Sequence, residues 1–239
     1  MIFSKQLAIE CAELIDQLYR SNFEPTFNVL ETDTQVQVAE RTPGEFWVIF
    51  PGTASAQDWL TDLKVRKIAW GETRAHRGFA TAFRSVAGPL LAHLKSARQI
   101  IITGHSLGGA LATLAADLCS EAGLPVAAVY TFGSPRVGNG PFARAYNARL
   151  AHCTFRVVNA RDPVPHVPWL LGTYRHVDTQ VYLNANGFAV IAEPLRVAAL
   201  ELAQTLGTAT QQQAARAALD VARPHHIGSY LQKLKGLHA

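Results

Sequence analysis

Residues 100–116 have the sequence IIITGHSLGGALATLAA, and this stretch decides the fold of the chain. An apolar run typical of a buried strand leads into Gly104-His105-Ser106-Leu107-Gly108, and an alanine- and leucine-rich run typical of a helix follows. A serine on such a strand-to-helix turn has a strained backbone, so the residues two positions before and after it must be small. Both positions are glycine here. The pattern therefore predicts Ser106 as an exposed nucleophile at the end of a sheet.

The composition of the chain fits a single α/β domain spanning residues 1–239. Hydrophobic residues make up 49% of the sequence and charged residues 17%, which allows a full core to be buried. The net charge of +4 is scattered, with no basic block, and this argues against a nucleic-acid partner. The three cysteines, Cys11, Cys119 and Cys153, are far apart and match no metal-ligand or disulfide spacing. We therefore expect reduced thiols and no metal site.

The first residues predict a packed helix rather than a targeting segment. Apolar side chains recur at helical spacing over residues 4–19, with Ser4 as the predicted N-cap. This segment lacks the charged start, continuous apolar core and cleavage site of a signal peptide, so a cytoplasmic location is the default expectation, with export by another route left open. No run approaches the roughly 18 apolar residues of a membrane-spanning helix, and no transmembrane segment is expected.

Strands and helices alternate along the chain. Buried strands are predicted at residues 46–50, 100–103, 126–132 and 154–159, an edge strand at 35–40 and a hairpin at 177–183 and 188–191. Helices are predicted at residues 79–94, from Gly109 to near Gly123, at 141–150 and within 195–223. Such alternation favours a mostly parallel central sheet flanked by helices. Ligands then bind at the carboxyl ends of the strands, where Ser106 lies.

A serine hydroxyl needs a base, and the base needs a group that orients it. On this kind of fold the acid follows the serine in the chain and the histidine comes last. Asp162 follows the predicted strand at 154–159 and precedes Pro163-Val164-Pro165, a loop suited to holding a carboxylate in place. His225 and His226 lie in a late loop that leads into a helix. One of the two is the predicted base, and their positions alone do not decide which.

The negative charge that develops on an attacked carbonyl oxygen requires two donors. The backbone N–H of Leu107 lies at a helix N-terminus and points toward the group that Ser106 attacks. A second donor is expected from the residue that follows Phe50-Pro51-Gly52, at the end of a buried strand upstream. That residue is Thr53, which offers its N–H and its hydroxyl.

The chain resembles the class 3 lipase family of α/β-hydrolases from about Val36 to Leu234. The motifs that carry the resemblance are Phe50-Pro51-Gly52-Thr53, Asp58-Trp59-Leu60-Thr61-Asp62-Leu63, His76-Arg77-Gly78-Phe79, Gly104–Ala110, Thr131-Phe132-Gly133-Ser134-Pro135-Arg136-Val137-Gly138, Arg156-Val157-Val158-Asn159, Asp162-Pro163-Val164-Pro165 and His225–Leu231. The resemblance implies an α/β-hydrolase fold in which Ser106 is the nucleophile, Asp162 the acid and Thr53 an oxyanion residue.

The resemblance also bears on the choice between the two late histidines. Similar bacterial chains have a histidine five residues before a tyrosine, which here pairs His225 with Tyr230 and leaves His226 as the alternative. Many relatives have an aspartate directly before this histidine, and Pro224 departs from that pattern.

The activity implied is hydrolysis of carboxylic esters of lipids through an acyl-enzyme, without metal or organic cofactor. Acylglycerols are the leading substrates, and the alternatives are a phospholipase A1, a feruloyl or aryl esterase, and a catalytically silent lipid-binding protein. Residues 54–63, with Trp59 as an apolar anchor, correspond to a lid in related enzymes or to a fixed loop. Acyl-chain length, positional preference, oligomeric state and biological role are not encoded in these motifs.

Overall fold

The computed structural model describes residues 2–21, 23–52, 66–160, 162–168, 173–177, 179–184, 187–191 and 225–236. Five helices of eight or more residues lie in these ranges: α1 (Lys5–Arg20), α2 (Arg77–His93), α3 (Leu107–Glu121), α4 (Gly140–Leu150) and α5 (Ile227–Gly236). The strands are β1 (Phe27–Val29), β2 (Thr34–Thr42), β3 (Glu45–Phe50), β4 (Lys67–Trp70), β5 (Thr73–His76), β6 (Gln99–His105), β7 (Val126–Phe132), β8 (Thr154–Asn159), β9 (Gln180–Asn184) and β10 (Gly187–Ile191).

Eight strands form one sheet in the order β1-β2-β3-β6-β7-β8-β9-β10. The five strands from β3 to β9 in this order pair in parallel, whereas β1, β2 and β10 add antiparallel pairs at the two sides. The predicted mostly parallel sheet and the late hairpin are therefore confirmed. Strands β4 and β5 form a separate two-stranded sheet.

Two details of the sheet differ from the sequence prediction. The segment at 35–40 does lie in a strand, β2, but its prediction as an edge strand is wrong because β1 pairs with its outer side. Alternation still holds along β2, since one face is covered and the other is half-exposed. Strand β1 has three residues and β4 and β5 have four each, too short for a periodic pattern to be recognised.

Alternate residues of the central strands face two separate cores. On one face, Val48 and Ile102 pack with apolar side chains of α2, α3 and α4. On the other face, Trp47 and Ile101 pack with side chains of α1 and α5. The sheet is thus covered on both faces, which explains why β3 and β6 are continuous apolar runs.

Helix α1 begins as predicted. The Ser4 side chain accepts a hydrogen bond from the Leu7 N–H at 3.2 Å, which caps the helix N-terminus. Lys235, near the end of α5, forms an ion pair with Glu13 of α1 at 2.7 Å. The two helices that cover this face are therefore in direct contact.

A buried carboxylate holds the serine helix against its neighbours on the other face. Asp117 of α3 accepts hydrogen bonds from Trp70 Nε1 of β4 at 2.7 Å and from Arg149 Nη2 of α4 at 2.6 Å. Burial raises the pKa of the Asp117 carboxyl above its usual value, and the contacts with Trp70 and Arg149 oppose this shift. Arg149 is therefore the counter-charge that makes burial of this carboxylate tolerable.

Replacement of Arg149 by Met should lower the free energy of unfolding at neutral pH by about 2 kcal/mol, because it leaves the Asp117 carboxylate buried without a cation. The loss should shrink as the pH is lowered, since the stranded carboxyl can then take up a proton in the folded state. Denaturant unfolding at several pH values measures both effects. Arg144→Met, which replaces an exposed arginine of the same helix, is the matched control. An equal loss in the control would contradict the assignment.

Candidate active site

Ser106 lies between β6 and α3 in a backbone conformation that is rare for a residue with a side chain. Its φ is 57° and its ψ is −127°, and its N–H donates to Phe132 O at 2.9 Å. A Cβ built on Gly104 would lie 2.2 Å from Gly108 O, and one built on Gly108 would lie 2.1 Å from Phe50 O. Only glycine fits at these two positions, so the turn is held by close backbone contacts on both sides.

Asp162 lies in the loop after β8 and is nearly inaccessible to solvent, with 1% of its surface exposed. Its Oδ1 accepts a hydrogen bond from the Val164 N–H at 2.9 Å. Its Oδ2 accepts from His225 Nδ1 at 2.8 Å and also from the Tyr230 hydroxyl. Three donors thus satisfy a carboxylate that burial would otherwise destabilise.

His225 directly precedes α5, and 5% of its surface is exposed. Because a carboxylate can only accept, the hydrogen on the imidazole lies on Nδ1 when the ring is neutral. The other ring nitrogen, Nε2, then has a free lone pair. Within the described part of the chain, this buried Nε2 atom has no hydrogen-bond partner.

The Ser106 hydroxyl has the same property. Its Oγ is buried, so the prediction that this hydroxyl is exposed is wrong, and it has no hydrogen-bond partner among the residues that the structure covers. Both residues border the carboxyl end of β7: the backbone N–H of Ser106 bonds to Phe132 O, and a Cβ on Gly133 would lie 3.0 Å from the His225 ring and 2.7 Å from Asp162 Oδ2. Other buried polar atoms of the described residues, such as Thr131 Oγ1, share this property, so what distinguishes these two atoms is their common position beside Asp162. A hydroxyl donor and a nitrogen acceptor thus lie at one strand end.

His226 is oriented differently from its neighbour. It is exposed, and its Nδ1 accepts a hydrogen bond from the Gly228 N–H at 3.1 Å. The structure therefore brings His225, rather than His226, to Asp162.

Of the two predicted oxyanion donors, only Leu107 lies within the described residues. Leu107 is the first residue of α3, so its N–H has no carbonyl to bond within the helix and points out of the N-terminus beside Ser106. Thr53 lies outside the described residues, as do the 54–63 segment with Trp59 and the predicted helical segment at 195–223.

Tyr230 belongs to the site, although the sequence analysis mentioned it only for its spacing from His225 and predicted no role for it. Its hydroxyl donates to the carboxylate that binds His225. Burial and the neighbouring Asp162 carboxylate raise the pKa of Tyr230 well above its usual value, so the hydroxyl stays protonated and remains a donor. The spacing between His225 and Tyr230 was the available signal, because it places the tyrosine on the first turns of α5.

Within the part of the chain that is described, no group of three or more His, Cys, Asp or Glu side chains is arranged to hold a metal ion. The three cysteines are buried as free thiols. None of the helices in the described ranges is long and apolar enough to cross a membrane.

Comparison with known proteins identifies one family. The family model for class 3 lipases matches residues 47–171. A secreted mono- and diacylglycerol lipase of Fusarium solani is 34% identical over 152 residues, covering 59% of this chain and 45% of the relative. A similar lipase of Penicillium cyclopium is 30% identical over 171 residues, covering 67% and 55%. The chain spans about half the length of these curated relatives.

A solved structure is also similar. It is a triacylglycerol lipase with a serine protease triad as its catalytic centre. The structures superimpose with a TM-score of 0.60 at 31% sequence identity, covering 67% of this chain and 65% of that lipase. The α/β-hydrolase fold predicted from the sequence is therefore confirmed.

Replacement of Gly108 by Ala should destabilise the protein by about 2–3 kcal/mol, because the added methyl group displaces the end of β3 from the serine turn. Thermal or denaturant unfolding checks this. Gly123→Ala is the control: Gly123 has a φ of 72°, but its Cβ would meet nothing within 4 Å. That substitution should cost about 1 kcal/mol. Equal behaviour of the two variants would show that the contact with Phe50 is unimportant.

Proposed function

The chain belongs to the class 3 lipase family, and on that premise we propose that it hydrolyses carboxylic esters of lipids through an acyl-enzyme formed on Ser106. The observation that supports this most directly is the 2.8 Å hydrogen bond from His225 Nδ1 to Asp162 Oδ2. It fixes the tautomer of the imidazole and leaves Nε2 available to a hydroxyl at the same strand end.

The reaction uses these groups in a defined order. His225 Nε2 takes the proton from Ser106 Oγ while that oxygen attacks the ester carbonyl carbon. The tetrahedral intermediate collapses, the alcohol leaves with the proton from His225, and the acyl group remains on Ser106. A water molecule then repeats the two steps and releases the fatty acid. Asp162 stabilises the imidazolium that forms in each half of the cycle, and the scheme needs no metal or cofactor.

The oxyanion is held by two proposed donors, the backbone N–H groups of Leu107 and Thr53. Leu107 contributes from the N-terminus of α3, where the helix dipole also favours negative charge. Thr53 follows Gly52, which the structure places close to the serine turn because its Cβ would lie 2.5 Å from His105 O. Each donor lowers the barrier by roughly 3 kcal/mol.

Acylglycerols are the substrate class that the relatives support. The fungal relatives are named for mono- and diacylglycerols, and the solved structure is that of a triacylglycerol lipase.

Both fungal relatives are also named as secreted. This favours export of the present chain over the cytoplasmic location expected by default, and assay of culture medium against cell extract distinguishes the two.

Separate Ser106→Ala, Asp162→Asn and His225→Ala substitutions test the proposed triad. We expect the Ser106 and His225 variants to lose at least about 10³-fold in kcat on p-nitrophenyl esters, and the Asp162 variant nearly as much, because the three groups act as one unit. His226→Ala is the matched control and should retain wild-type activity, since this histidine faces solvent.

The same experiment separates the proposal from a silent lipid-binding protein. Thermal unfolding shows that each variant is folded. Wild-type protein without activity, or Ser106→Ala with undiminished activity, would exclude the serine hydrolase. Loss of activity in His226→Ala with full activity in His225→Ala would reverse the assignment of the base.

A series of glycerol esters and p-nitrophenyl esters from acetate to palmitate tests the substrate class. For a lipase we expect activity to rise with acyl length and to increase steeply once the substrate exceeds its solubility. A preference for short soluble esters would indicate an esterase, feruloyl esters as the best substrates would indicate the aryl alternative, and release of the sn-1 fatty acid from phospholipids in preference to acylglycerols would indicate a phospholipase A1. Ser106→Ala, run in parallel, gives the background rate.

A further inference from the structure

His105 lies directly before the proposed nucleophile, yet its side chain is buried on the face of the sheet covered by α1 and α5. Its Nε2 lies 2.6 Å from the backbone carbonyl oxygen of His225. The two imidazole rings are 4.6 Å apart between centroids and inclined by 31°. The residue next to Ser106 thus contacts the backbone of the proposed base.

The other nitrogen of His105 contacts α1. His105 Nδ1 lies 3.0 Å from the hydroxyl of Tyr19, and the two rings meet edge to face at 87°. The same hydroxyl donates to the backbone carbonyl of Pro51, two residues before Thr53. Tyr19 therefore links the last turn of α1 to the loop that leads to the proposed oxyanion residue.

The hydrogen atoms available to this cluster restrict how it is bonded. The carbonyl oxygens of His225 and Pro51 can only accept, so His105 Nε2 must carry a hydrogen to bond to His225. In a neutral ring Nδ1 is then an acceptor, and it shares the single hydroxyl hydrogen of Tyr19 with Pro51. The hydrogen on His105 Nε2 thus bonds to the backbone at His225, and the hydroxyl hydrogen of Tyr19 bonds to the backbone at Pro51.

We infer that His105 is a positioning residue, which together with Tyr19 fixes the backbone of His225 and of the Pro51 loop relative to Ser106. The inference rests on the proposed function, since it assigns a role toward the proposed base and oxyanion loop. Geometry supports it at both ends: one contact joins the chain segments at 105 and 225, and the other joins α1 to the segment at 51. No contact of His105 with the substrate is involved.

The charge state of His105 fits this role. Burial, followed by the neighbouring His225, lowers the pKa of His105 well below its usual value, so the ring is neutral at neutral pH. A neutral ring adds no positive charge beside the imidazolium that His225 forms during each turnover. A lysine or arginine at this position could donate the same hydrogen bond but would oppose that charge.

Three variants test the inference: His105→Ala, His105→Gln and Tyr19→Phe. Active sites are titrated with a p-nitrophenyl alkylphosphonate, so that kcat refers to folded, competent enzyme. We expect His105→Ala to lower kcat at least about tenfold with KM nearly unchanged, because the base and the oxyanion loop are displaced by a fraction of an ångström. His105→Gln should recover most of the loss, since its amide N–H can reach the His225 carbonyl. Tyr19→Phe should lower kcat about threefold or more.

Tyr146→Phe is the matched control. Its hydroxyl is buried and bonds to Thr154 at 2.9 Å on the opposite face of the sheet, and its loss should leave kcat unchanged. Equal kcat for the Ala and Gln variants, or wild-type kcat for His105→Ala, would overturn the inference. If neither His105 variant folds, Tyr19→Phe decides, and wild-type kcat in that variant overturns it. Failure of the proposed function has a different signature, because wild-type protein would then be inactive or Ser106→Ala fully active.

Discussion

The close approach of β3 to the first turn of α3 is the constraint on which the site depends. Phe50, at the end of β3, lies where a side chain on Gly108 would have to be, and Gly104 is pressed against the same turn. The turn therefore has one allowed shape, with Ser106 held at a φ of 57°. Strain of this kind persists only when the surrounding structure determines it, and parallel pairing of β3 with β6 supplies that support.

The parallel arrangement of the strands brings Asp162 to the same edge of the sheet as Ser106, and His225 lies there too. Because β6, β7 and β8 run in parallel, their carboxyl ends share one edge, and Ser106, Gly133 and Asp162 follow those three strands. His225 reaches the same edge from the helical layer formed by α1 and α5. The two layers contact the site in different ways: α3 begins at the serine turn, whereas α5 carries Tyr230 and follows His225, and both of these side chains bond to Asp162.

Local signals made much of this predictable from the sequence. The serine turn, the parallel strands and the loop that carries Asp162 are each encoded in a few consecutive residues. The choice between His225 and His226 is not encoded in the two residues themselves, because it depends on which of them faces Asp162, 63 residues earlier in the chain. Only the spacing to Tyr230 found in similar chains pointed to His225. The contacts of Tyr230, Tyr19 and His105 were not predicted, because they too join residues that are far apart in the chain. Strands β1, β4 and β5 were not predicted because they are too short to show a periodic pattern of apolar residues.

The hydrogen bonds that the buried polar atoms of the site make, and those that they do not make, connect the fold with the proposed chemistry. Both buried oxygens of Asp162 have hydrogen-bond partners, since this side chain accepts from three donors. Its bond to Nδ1 determines that the lone pair of His225 lies on Nε2. That atom and Ser106 Oγ are left buried without partners among the described residues, at a cost of about 1–3 kcal/mol for each such group. In the proposed hydrolase these two atoms are the proton acceptor and the hydroxyl of the reaction, so the lone pair and the hydroxyl hydrogen that lack partners in the fold are those that the chemistry uses.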